Sequence, residues 1–196
     1  MRRPETNKPK SKASRENVLP TDTPTFVKTS AITIRYPLLW LSAAILIVYS
    51  PTFSMGLVDL DDGIFINTFR DYNENLHNLV TSFFRSAYGT SSDIFYRPIP
   101  VDTIILNYHL GNHGPGIFSF HLVNVLFHLI AVLLLYDLFK KLGVRELHAF
   151  ILTLLFAVHP ALVMAVAWIP ARNETLLAIF IFSFLIYVIR YTGDGK

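Results

Sequence analysis

Long apolar runs constrain this chain more than any other feature. Residues 36–58, 117–139, 147–168 and 175–191 are dominated by Leu, Ile, Val, Phe and Ala. About 20 such residues in a helix cross a hydrocarbon core of about 30 Å, at 1.5 Å of rise per residue. The expectation is an all-α membrane protein with about four transmembrane helices. Composition agrees, because 52% of the chain is hydrophobic and 16% charged, against about 25% charged in soluble domains. The third run has two readings: it ends at His159-Pro160, or it continues to Trp168 through a proline kink.

Charge sets the expected orientation. Of the 17 Lys and Arg residues, Arg2, Arg3, Lys8, Lys10, Lys12, Arg15, Lys28 and Arg35 precede or open the first run. Lys140, Lys141 and Arg145 lie between the second and third, and Arg190 and Lys196 end the chain. Only Arg70, Arg85, Arg97 and Arg172 fall elsewhere. Basic residues flanking spans mark the cytoplasmic side, which puts residues 59–115 on the lumenal or periplasmic face. A basic tail can also meet nucleic acid or anionic lipid; beside a span it reads as a topology signal, and no nucleic-acid partner is expected. Residues 1–30, with Pro4, Pro9, Pro20 and Pro24 among Ser, Thr and Lys, have too little apolar surface to offset chain entropy and read as a disordered cytoplasmic tail. With no cysteine, the redox compartment is unreadable.

The long loop 59–115 is expected to carry short helices. Leu76, Leu79, Val80, Phe83 and Phe84 recur at helical spacing behind Asn75, a plausible cap. Such an amphipathic helix lies on a membrane surface or packs on a small extramembrane domain, and both readings stay open. Residues 96–110 read as another helix, with Pro98 and Pro100 in its first turn and Gly111 ending it.

Four groups of residues could carry chemistry. Asp61-Asp62 follow the first span; adjacent carboxylates repel, so one pKa should rise and the other fall, and an acidic pair can also hold a divalent metal. A solvated, helix-capping loop is the plainer reading of that pair alone. Tyr96-Arg97-Pro98 offers a guanidinium, which binds phosphate through two parallel hydrogen bonds, or serves only topology. His121, Asn124 and His128 share one face of the second span, lining a site or hydrogen-bonding between helices. His159-Pro160, Trp168 and Arg172-Asn173-Glu174 place a histidine, an indole, a guanidinium and a carboxylate near one end of the bundle, where Trp168 could also be a simple interfacial anchor.

The order of these groups is itself informative. Asp61-Asp62, then Tyr96-Arg97-Pro98, then Leu106-Asn107-Tyr108 with Gly111 to Asn124 and His128, then Phe156 to Asn173, resembles the N-terminal membrane region of the O-mannosyltransferases named for their transmembrane and tetratricopeptide repeats. Bacterial relatives of the same architecture look similar. The resemblance covers about 57–180 and implies a partial C-type glycosyltransferase fold in a bacterial inner membrane or the endoplasmic reticulum.

The resemblance also implies a chemistry. Such enzymes take a sugar, mannose among them, from a polyprenyl- or dolichyl-phosphate donor and pass it to a protein Ser/Thr hydroxyl or a glycan on the non-cytoplasmic face. Asp61 or Asp62, with a slight preference for Asp62, would be the catalytic base. Arg97 or Arg172 would receive the phosphate, and Tyr96, His121, Asn124, His159, Trp168 and Glu174 would line the pocket. A divalent metal is compatible with this scheme and is not specified by it. Two departures accompany the resemblance. Met164 stands where the family usually has a glutamate, and the chain is far shorter than family members, as a fragment or one part of a split protein would be. Its partners would then include a missing C-terminal half or a tetratricopeptide-repeat protein. These departures favour an alternative, a non-catalytic membrane scaffold retaining the first half of the fold.

Overall fold

A computed structural model describes residues 33–58, 61–87, 95–110 and 116–194, all within the unit formed by Ile32–Lys196. The expected tail and Gly111 lie outside the described residues. All regular elements among the described residues are helical. Three helical stretches, Pro37–Ser54, Ile117–Lys141 and Ile169–Gly193, are long and apolar enough to cross a membrane. The pair Glu146–Ala157 and Pro160–Ala167 qualifies as a fourth if taken together, though it bends by 48° at the break. The chain is a membrane protein, with three to four spans by length and composition.

The first span is shorter than its apolar run suggests. Helix α1 (Pro37–Tyr49) gives way to a 3-10 turn over Ser50–Ser54, and 55–58 leave the helix. Pro51 cannot donate to the α ladder, and the Ser50, Thr52 and Ser54 hydroxyls each bond back to the carbonyl three residues earlier. Leu41, Ile45 and Tyr49, spaced one turn apart, face the core.

Helix α5 (Ile117–Lys141) is central and touches α1, α6 (Glu146–Ala157), α7 (Val163–Ala167) and α8 (Arg172–Asp194). It ends as its sequence demands: Gly143 takes φ +78, while Gly143 N bonds to Lys140 O and Val144 N to Phe139 O. Only glycine adopts that left-handed conformation without cost.

The third run is broken, not continuous. After α6, His159 leaves the helix in extended geometry and its Nδ1 accepts from Ala161 N, opening a 3-10 turn over Pro160–Leu162. Breaks in a helix leave carbonyls without their intrahelical partners, and α5 supplies donors to them. His128 Nε2 lies 2.9 Å from Ala157 O and donates to it. Asn124 Nδ2 donates to Trp168 O at 3.1 Å and Ile169 O at 3.5 Å. Of the two readings of this polar face, helix-to-helix hydrogen bonding holds for both residues. Asn124→Leu should therefore cost about 1–3 kcal/mol, since it strands buried carbonyls, and thermal unfolding in detergent micelles would register the loss.

The segment between α1 and α5 folds as a small packed unit. A π-helical turn at Ile64–Thr68 and α2 (Arg70–Asn73) pack with α3 (Asn78–Thr81), a 3-10 turn at Ser82–Phe84 and α4 (Pro98–Leu110). Phe65, Ile66, Val101, Ile104, Ile105 and Tyr108 form its core with Phe120 of α5, and Tyr108 Oη donates to Ile66 O at 2.8 Å. The expected amphipathic helix is shorter than its pattern, and the Asn75 carboxamide accepts from His77 N ahead of it. Its apolar residues divide: Leu79 packs on the unit's core, while Leu76, Val80, Phe83 and Phe84 stay exposed. Helix α4 starts at Pro98, two residues later than expected, and keeps both prolines in its first turn.

Candidate functional site

Where this unit meets the start of α8, two layers of polar residues form. The outer layer is a cleft of about 570 Å³, lined among others by Asp61, Arg97, Met164, Trp168 and Glu174. Its floor comes from the broken third element and from Pro170 and Ala171, ahead of α8. Arg97 lies 5.0 Å over the Phe95 ring. Glu174 Oε1 accepts from Asn173 Nδ2 at 2.9 Å.

The inner layer is sealed. Asp62, Arg172 and His121 are 0%, 0% and 1% exposed. Asp62 Oδ2 accepts from Val58 N at 2.8 Å, which fastens the loop after α1. Burial pushes the Asp62 carboxyl above its usual range, and the Asp61 charge adds to this. The Val58 amide, the His121 imidazole and the Ile169 backbone oppose it. Arg172 donates Nη1 to Thr103 Oγ1 at 3.2 Å, sits 5.9 Å over the Phe120 ring and feels the Asp62 charge. Among the described residues, Asp62 Oδ1, both His121 ring nitrogens, and Arg172 Nε and Nη2 have no hydrogen-bond partner.

The structure therefore divides the residues singled out in the sequence. Asp61, Arg97, Trp168 and Glu174 share the open cleft; Asp62, His121 and Arg172 are packed behind it; Asn124 holds the Trp168 backbone. Tyr96 and His159 are not brought to the cleft. Tyr96 is exposed and donates Oη to Phe83 O at 3.0 Å, and His159 caps the 3-10 turn. Thr103, the contact of Arg172, carries no sequence signal. Phe95 lines the cleft and could have been suspected from its place beside Tyr96-Arg97. Asn173-Glu174-Thr175, which has the Asn-x-Thr form of a glycosylation acceptor, lies inside α8, with the Thr175 hydroxyl donated to Arg172 O. Among the described residues, no three His, Cys, Asp or Glu side chains cluster as a metal site.

Fold and cleft thus define a helical membrane protein with a charged, aromatic-walled recess at one end of its bundle. Comparison with known proteins adds a family resemblance, although no family model and no solved structure matches the chain. It is 39% identical over 105 residues to a protein O-mannosyl-transferase of Caenorhabditis elegans, an alignment covering 52% of this chain and 15% of that protein. With human protein O-mannosyl-transferase TMTC3 it shares 36% over 132 residues, 63% of this chain and 14% of that protein. With Drosophila melanogaster Tmtc3 it shares 33% over 186 residues, 80% of this chain and 19% of that protein. The chain resembles these O-mannosyltransferases, and the matched stretch spans less than a fifth of their length.

Proposed function

We propose that this chain forms the lipid-donor end of a membrane glycosyltransferase, moving a sugar from a polyprenyl- or dolichyl-phosphate to a protein or glycan hydroxyl on the non-cytoplasmic face. The observation that carries this reading is the meeting of Asp61 and Arg97 in one cleft at the end of the apolar helices. Asp61 takes the proton of the acceptor hydroxyl as its oxygen bonds to the sugar's anomeric carbon. The bond from that carbon to the carrier phosphate breaks, and the phosphate leaves as an anion against Arg97. An anionic leaving group needs a placed base and a cation, not a strong acid. Met164 removes the carboxylate expected at its position, but Glu174 brings one to the same cleft, which favours this reading over a scaffold.

The test uses proteoliposomes containing labelled dolichyl-phosphate mannose and a Ser/Thr-rich peptide, where label should move to the peptide. Absence of transfer with a donor shown to be bound would overturn the proposal. In the same vesicles Arg97→Gln should weaken binding of bare dolichyl phosphate about tenfold or more, the value of a charge-assisted hydrogen bond. Because Arg97 belongs to the cleft and not to the sealed layer, its thermal unfolding should stay at the wild-type temperature.

A further inference from the structure

The chain has two tryptophans, and their settings differ. Trp40 is 58% exposed on α1 and donates Nε1 to Arg35 O at 3.2 Å. Trp168 lines the cleft, while its Nε1 is buried with no partner among the described residues. The surface its indole offers to the cleft is therefore hydrocarbon. The residue is fixed from both sides: Asn124 Nδ2 holds its carbonyl, and its extended backbone (φ −79, ψ 122) joins α7 to the turn containing Pro170.

Indole hydrocarbon beside carboxylates is an unusual pairing to leave in one cavity. A phosphate finds a cation in Arg97 but gains nothing from Asp61 or Glu174. A prenyl chain accepts the indole but not the carboxylates. A pyranose ring needs both, since its axial C–H groups stack on an aromatic face while its hydroxyls donate to carboxylate oxygens. The pre-formed mixture of an apolar wall and a few placed polar groups is also what a small-ligand site requires.

We propose that Trp168 is the stacking platform of a hexopyranose subsite, with Glu174, steadied by Asn173, accepting hydrogen bonds from the ring hydroxyls. This rests on the sugar-transfer reading for the identity of the ligand and extends it to the residue that selects the sugar. Glu174 thereby acts in recognition, whereas Asp61 acts in proton transfer.

The experiment uses the Trp40→Phe variant in nanodiscs with a tryptophan-free belt protein, where Trp168 is the single tryptophan and its emission reports directly on the subsite. Dolichyl-phosphate mannose should change that emission saturably. Bare dolichyl phosphate, bound in the same discs as judged by competition, should leave it unaltered. In otherwise wild-type protein, Trp168→Phe should keep the preference for the sugar-bearing lipid, and Trp168→Ala should lose it by about tenfold. If both lipids bind and alter the emission identically, or if Trp168→Ala retains the preference, the platform is refuted while the lipid-phosphate reading stands. If methyl mannoside alters the emission and neither lipid binds, the subsite holds an acceptor sugar and the donor reading fails. If no probe binds, both fail.

Discussion

If the proposed sugar transfer holds, replacing Asp61 with asparagine should lower its rate by about 10²–10⁴-fold, the usual worth of a placed general base, while binding of bare dolichyl phosphate should persist. The basis is position: Asp61 lines the open cleft that also contains Arg97 and Glu174, whereas Asp62 is 0% exposed and bonded to Val58 N. Asparagine keeps the size of the side chain and cannot take the acceptor's proton. Transfer kinetics in proteoliposomes, measured beside dolichyl-phosphate binding, make the check. A rate within a few-fold of wild type at saturating donor would remove Asp61 from the chemistry and leave the cleft without a base. An equal loss of rate and of lipid binding would instead make Asp61 a ligand-binding group.

The second large effect is on folding. Arg172→Met should destabilise the chain by about 1–3 kcal/mol, because it removes the positive charge acting on the buried Asp62 carboxyl. It also removes the hydrogen bond to Thr103 and the contact over the Phe120 ring. Where two buried charges act on each other, replacing both is often closer to neutral than replacing one. Adding Asp62→Asn should therefore recover much of the loss, since asparagine still offers an oxygen to Val58 N. A four-way comparison of thermal unfolding in detergent micelles measures the coupling. If the two single losses simply add, Arg172 and Asp62 are independent, and the sealed layer is ordinary packing.

The long elements were legible because run length and turn chemistry are local. The α5 helix follows from its apolar run, and α4 from Pro98 and Pro100. The third run was ambiguous for a physical reason: a proline within lipid either kinks or breaks a helix, and the outcome depends on whether a neighbour can satisfy the freed carbonyls. His128 and Asn124 do so from another helix, which no local pattern reveals. The shortened first span is a related case, where hydroxyls at Ser50, Thr52 and Ser54 reshape the end of an otherwise apolar run. Which of Asp61 and Asp62 meets the cleft was equally hidden. A helical turn begins there, and successive side chains on a helix diverge by about 100°, so neighbours in sequence part into opposite surroundings. The sequence marks Arg172 as a charge at the head of a span. Its burial depends on Thr103 and Phe120, which only the tertiary fold brings near.

The adjacency of those two aspartates has a consequence for reading genetic variants. One anchors the strap that positions the other, so damage at either site would reach an assay as lost turnover. A screen scoring output alone would assign both to the reaction. Protein abundance, measured in the same cells, should separate them: an Asp61 allele is expected to accumulate normally while turnover falls, and an Asp62 allele to be depleted by quality control.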